Sequence, residues 1–389
     1  MLRDVLVYGD DRRRNVRFGT EDIDASRLTL IPSLVDLATD PGFPGFPVRE
    51  DLTSLGMAAA AGGFTDLLLG PQVDPVADTP EVVAAVPKEW HNGPRLYAAG
   101  AATVRLAGEE LAEIGLMKRA GARVLSDGGH PIRDTVVLRN LLEYAGRFRI
   151  GVHLRPADAD LDRLGVVHES GVAAQVGLRG NPAASEEIGV ARIVALVRAT
   201  RASVHMTHLG TAAGVALLRA ARAEGLPISG STPARNLVLD ESAHLARPYD
   251  TRLRLHPPLR SAADRAALVD AVQDGTLLLC ADHAPRAPEE KDLEFERAAP
   301  GSTGLESAFA AALTGLDGDL DAVVQALSAG PRAVLGIASR GWALVDPDVT
   351  VTVAAAEHRS RARNDALDGL TLRGAVLGCW ANADVIYVG

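Results

Sequence analysis

The sequence predicts an α/β protein: a closed barrel of eight strand-helix units, with a small β domain assembled from both chain ends. Three observations predict it. From Leu34 onward short apolar runs alternate with amphipathic segments, the pattern of buried parallel strands each followed by an outer helix. The composition is rich in Ala, Val, Leu and Gly and only 4% aromatic, which suits helices packed on short strands. The two ends alternate in period two instead, over residues 4–16 and 342–353, as half-exposed strands do.

The predicted barrel strands are 34–37, 64–69, 95–99, 123–126, 149–154, 203–209, 227–231 and 276–281, each bounded by Gly, Pro, Asp or Ser. Helices are predicted over 51–61, 111–120, 135–145, 186–199, 211–223 and 262–272, where apolar residues recur at three-to-four spacing. Neither end segment leads into a barrel helix, so 4–16 and 342–353 are expected to pair with each other. The closing stretch 370–388, with Gly374 and Gly378, supplies more of the same sheet. This gives a composite β domain of residues 1–32 and 341–389 around a barrel of residues 33–340. The Pro-, Glu-, Lys- and Arg-rich segment 284–303 follows the eighth strand and is a candidate loop over the barrel mouth.

A formal net charge of −10 repels phosphate backbones and anionic lipid, which argues against a nucleic-acid partner. No apolar stretch reaches the roughly 18 residues needed to span a bilayer, and no secretion signal is expected, since the first residues lack a basic n-region, a long apolar h-region and a small-residue cleavage site. Cys280 and Cys379 stand far apart without metal-ligand spacing, so a reducing cytoplasm is the expected compartment.

In such a barrel the C-terminal ends of the strands converge on one mouth, and polar residues there are read first. His153 ends the fifth strand, His208 the sixth, Asp127 follows the fourth, and Asp282 with His283 follows the eighth. Imidazoles and carboxylates converging from separate strands are what a hydrolytic zinc site needs, because the metal must lower the pKa of a bound water. Asp282 is the candidate to take that proton. The plain alternative is that His153 and His208 are hydrogen-bonded packing at the mouth and Asp282 a loop cap. His205 is expected to pack within its strand and His283 to bond a neighbouring loop. His91, His130, His168, His244 and His358 are expected in loops or surface segments.

Longer motifs sharpen the reading. His256-Pro-Pro-Leu-Arg260, Asp274-Gly275, Ala281-Asp-His-Ala-Pro285, Glu290-Lys291, Ala299-Pro-Gly301 and Gly304-Leu-Glu306 occur in order. Upstream stand Ala60-Ala-Gly-Gly-Phe-Thr65, Pro71, Pro75, Gly177-Leu-Arg-Gly180, Pro182 and Glu186, and downstream the block 331–336. In these motifs the chain resembles, nearly end to end, the dihydroorotase family of cyclic amidohydrolases. The resemblance implies an amidohydrolase-superfamily (β/α)8 TIM-type barrel with a small β-sandwich domain from both termini. It also implies one or two zinc ions that serve to hydrolyse or close a cyclic amide in pyrimidine biosynthesis.

The departures from that family cluster at the mouth. Its first-strand motif D-x-H-x-H-x-R reads Asp36-Leu-Ala-Thr-Asp40-Pro-Gly42 here, so Ala38 and Asp40 stand in place of two zinc-binding histidines and the substrate-gripping arginine has no equivalent. Gly128 replaces the second of two adjacent fourth-strand aspartates. The P-H-H-L block appears as Pro233-Ala-Arg-Asn236, D-H-A-P-H ends in Arg286, and Gln72 stands for the asparagine of M-P-N-T. The ligand set left by the resemblance is His153, His208 and Asp282, with Asp127 and Asp40 in reserve, and Gln72, His256 and Gly301 as substrate-binding candidates. Three protein ligands plus water is the count of many catalytic zinc sites, so one zinc ion and no metal at all both stay open. The missing histidines point to a pseudoenzyme, and inactive members of the family serve as structural subunits of aspartate carbamoyltransferase. The alternative is an active zinc-dependent dihydroorotase or related cyclic amidohydrolase with a reduced single-metal site. A homo-oligomer is expected in either case.

Overall fold

The structure, a computed structural model, describes residues 1–17, 22–87, 93–381 and 384–388. Eight parallel strands follow one another around a barrel in chain order: Leu34–Thr39, Phe64–Leu69, Arg95–Ala101, Val124–Ser126, Gly151–Leu154, Val204–Met206, Ile228–Pro233 and Leu278–Cys280. The apolar runs form strands because helices cover their outer faces, and Phe64–Leu69 is buried at every position. The intervening helices start where the sequence caps them. Asp51 and Ser261 close capping boxes on Leu52–Ala61 and Ala262–Gln273, and Asp134 and Thr211 cap Thr135–Phe148 and Ala212–Ala223. The sixth strand ends at Met206, earlier than the apolar run, because the chain turns sharply at His208 (φ 59°).

Closure of the barrel depends on a side chain. The first strand meets the residues after the eighth through a single parallel bridge, Thr39 to His283, and the bond Asp40 N–H to His283 C=O at 2.7 Å. Below it the fully buried Asp36 carboxylate accepts from Ala281 N–H at 2.7 Å and from the Thr39 hydroxyl at 2.5 Å. Asp36, the one first-strand motif residue retained, thereby bonds the backbone across the seam.

Both chain ends join one mixed sheet of seven strands. Its order is Asp384–Val388, Thr371–Ala381, Gly341–Thr352, Thr29–Pro32, Leu2–Val7, Arg13–Val16, with Ile23–Asp24 also on Leu2–Val7. The expected direct pairing of 4–16 with 342–353 does not occur. Thr29–Pro32 lies between, antiparallel to Gly341–Thr352 and parallel to Leu2–Val7. This strand is short and mostly buried, so it carries no period-two alternation to announce it. Residues 4–16 instead fold as a hairpin. The helix Ala308–Gly315 packs beneath this sheet at Gly374 (φ 92°), where a Cβ would lie 2.6 Å from Leu313 Cδ2. No described helix is long and apolar enough to cross a membrane.

Candidate functional site

The C-terminal ends of the barrel strands open into a cavity of about 760 Å³. Asp40, Gln72, Asp127, His153, His208, His256, Asp282 and Gly301, all expected at the site, line it. The segment after the eighth strand contributes Ala284, Arg286, Pro300 and Gly301, so it does overlie the mouth.

Parallel register sets Ser126, His153 and His205 side by side. His205 is buried with both ring nitrogens engaged, Nδ1 with Ser229 Oγ at 2.8 Å and Nε2 with Ser231 Oγ at 2.9 Å. His153 packs against it, ring centroids 4.8 Å apart, and is 3% exposed with no partner for Nδ1. Burial alone pushes the His153 pKa down to about 3, so the ring is neutral.

His208 and Asp282 face each other from just beyond the sixth and eighth strands, both in the left-handed region (φ 59° and 47°) that non-glycine residues seldom adopt. His208 Nε2 bonds Asp282 Oδ1 at 2.9 Å, while its buried Nδ1 has no partner. The other carboxylate oxygen of Asp282 accepts from Arg235 Nη2, and Arg235 Nη1 donates to the Asp282 carbonyl at 3.2 Å. Burial pushes the Asp282 carboxyl up, but the charges and hydrogen bonds of Arg235 and His208 outweigh it and hold the group well below the usual range.

The remaining acids are also engaged. Arg286 Nη1 donates to Asp40 Oδ2 at 2.8 Å. Asp127 accepts from Thr103 N–H at 2.9 Å and Thr103 Oγ1 at 2.6 Å. Asp162, not singled out from the sequence, forms a buried pair with Arg155 and accepts from His256 Nε2 at 3.0 Å. The Gln72 amide fills the space that a side chain on Gly128 would need: a Cβ there would stand 2.3 Å from Gln72 Oε1, and Gly128 has φ 59°.

Residues 27–213 match the family model described as dihydro-orotase-like. A dihydroorotase of Pelotomaculum thermopropionicum is 38% identical over 371 residues, covering 92% of this chain and 86% of that protein. The chain belongs to the dihydroorotase family. A dihydroorotase of Syntrophotalea carbinolica is 34% identical over 383 residues, covering 94% of this chain and 89% of its own. The solved L-hydantoinase (dihydropyrimidinase) from Arthrobacter aurescens superposes with a TM-score of 0.84 at 18% identity, over 99% of this chain and 95% of that one. That likeness establishes the (β/α)8 barrel fold.

Within this dihydroorotase-family mouth the expected ligands share a cavity but not a coordination site. Among the described residues no group of three or more His, Cys, Asp or Glu side chains stands close enough to hold a metal ion. The carboxylates of Asp282, Asp40 and Asp127 are each taken by a guanidinium or by Thr103. As they stand, these side chains do not fit zinc. His208 and Asp282 bond each other, while the Nδ1 atoms of His153 and of His208 are both without a partner.

Sequence reasoning did not assign roles to Arg235 and Arg286. Their signal was present, since both fall where the family motifs carry histidine, but their acidic partners are remote in the chain. Of the remaining histidines, His283 bonds Glu50 Oε2 at 3.2 Å. His130 lines the cavity, its Nδ1 3.0 Å from the Asp127 carbonyl. His244, expected at the surface, is 2% exposed and packs edge-on against Phe295, because its short helix Ala243–Ala246 tucks that face inward. His91 lies outside the described residues.

Proposed function

We propose that this dihydroorotase-family chain is catalytically silent and serves as a structural subunit in pyrimidine biosynthesis, with aspartate carbamoyltransferase as its partner. The observation that carries the reading is Asp282, the one residue suited to take a proton from an attacking water. Its carboxylate is held on one side by His208 and on the other by Arg235. A carboxylate stabilised by a guanidinium is a weak base at neutral pH, and general-base efficiency falls with basicity. The first strand offers Ala38 and an Asp40 already paired to Arg286, so neither end of the mouth is free to activate water.

The partner follows from family analogy. A reducing cytoplasm accords with Cys280 and Cys379, both buried free thiols, and a homo-oligomer follows from family analogy. A second reading, an active hydrolase with one zinc, is favoured by the unpartnered Nδ1 atoms of His153 and His208 on the same cavity.

Assay with dihydroorotate in added zinc, together with co-purification against a transcarbamoylase, separates the two. No turnover and a stable complex are expected. Turnover that Asp282→Asn abolishes would defeat the structural reading.

A further inference from the structure

We propose that Arg235 and Arg286 are the resident cations of the barrel mouth, neutralising Asp282 and Asp40 in place of a metal ion, so that the barrel stands without one. The case begins with cost. A buried carboxylate without a counter-charge is strongly unfavourable, and Asp40 is buried and Asp282 largely so, each just beyond the end of a barrel strand. His208 and His153 are poor substitutes, since the first has a single bond to Asp282 and the second packs on His205 with its Nδ1 unpartnered.

Both arginines are built in rather than draped over the surface. The Arg235 side chain is 6% exposed and that of Arg286 15%. Arg235 holds Asp282 at two points, one on the carboxylate and one on the backbone carbonyl. Arg286 is braced by Pro300 C=O at 2.8 Å and Pro285 C=O at 2.9 Å while it meets Asp40 at 2.8 Å. Two fixed guanidinium groups bring the same charge as one divalent ion, and a guanidinium stays charged at any pH the protein meets.

The sequence departures then form a set. Asp40 and Arg286 each stand where the resemblance places a histidine, and the structure joins them as an ion pair across 246 residues. An acid alone at position 40, or a base alone at 286, would be a buried unpaired charge; together they cancel. Arg235 likewise occupies a motif histidine position and reaches the acid of another motif.

The inference rests on the proposed loss of turnover, but the two can fail separately. The test uses the full-length protein, produced with zinc in the medium. Its metal content is read by plasma mass spectrometry and its Tm with and without a chelator. Well under one ion per chain and an unmoved Tm are expected. One zinc per chain, with a Tm that falls on chelation, overturns the inference; if that zinc protein is inert towards dihydroorotate, the subunit reading survives. A metal-free protein that turns over dihydroorotate does the reverse.

Arg235→Ala is expected to lose several degrees of Tm, and Arg235→Lys, which keeps a cation, to lose less. An alanine variant as stable as wild type overturns the inference. Where Arg235→Ala does not accumulate as folded protein, Arg235→Gln with Asp282→Asn removes both charges together. That pair is expected to melt above Arg235→Gln alone, and a pair no better than the single variant overturns the inference.

Discussion

Asp282 and His283 are neighbours in the chain, yet each joins a different carboxylate–imidazole pair with a different fate. Asp282 faces the mouth and pairs with His208, whose other nitrogen is left without a partner. His283 points the other way and donates from Nε2 to Glu50, while its Nδ1 accepts from Gly304 N–H at 3.3 Å. Glu50, fully buried, also accepts from Ser54 Oγ, from Ser360 Oγ at 2.5 Å and from Arg361 N–H at 2.9 Å. Burial pushes the Glu50 carboxyl up, but His283, Ser360 and Ser54 together draw it below its ordinary value. The same two functional groups therefore make a saturated structural knot in one place and an incomplete set beside a cavity in the other. A saturated pair is there to hold the chain, whereas buried polar atoms without partners beside a cavity mark a place where a ligand, water or ion can bind.

The comparison predicts a graded series. Glu50→Ala removes the shared acceptor of His283, Ser54, Ser360 and Arg361 N–H in the interior and is expected to cost roughly 3–5 kcal/mol in a urea titration. A loss under 1 kcal/mol would remove the distinction between the knot and the mouth. Asp282→Asn leaves Arg235 facing a neutral amide that water can reach through the cavity, so about 2 kcal/mol is expected.

Acid should narrow that second difference. The folded pKa of Asp282 lies below its unfolded value, so its contribution is fully present above the unfolded carboxylate range and is lost as pH falls through and below it. The gap between wild type and Asp282→Asn, followed by thermal melts from neutral pH downward, is expected to shrink in acid and to stay constant on the neutral side. The smallest effect belongs to His153→Phe. With one ring nitrogen already unsatisfied, a similar apolar ring is expected to change stability by less than about 1 kcal/mol; a loss as large as that of Glu50→Ala would show that His153 is tied into the fold like His283.

Much of this molecule was legible from sequence because its elements announce themselves locally. Continuous apolar runs such as Phe64–Leu69 read as buried strands, and the caps at Asp51 and Ser261 are written beside the helices they start. The polar residues at strand ends were also correctly gathered at one mouth, because a parallel barrel leaves them nowhere else to go. What stayed hidden was pairing at long range. Nothing near Asp40 names Arg286, and nothing near Asp282 names Arg235. Thr29–Pro32 was missed for a similar reason, since only its neighbours on both sides make it a strand. His244 was misjudged because four residues of helix carry too little periodicity to show which face turns inward.

The Asp36 clasp on Ala281 has a consequence for how the chain is made. Its two halves are 245 residues apart, so a ribosome must deliver nearly three quarters of the polypeptide before the ring can shut. Until then the Leu34–Thr39 strand is an open edge with unpaired amides, a template for wrong partners. Any truncation that stops short of Ala281 should therefore yield aggregates rather than a smaller barrel.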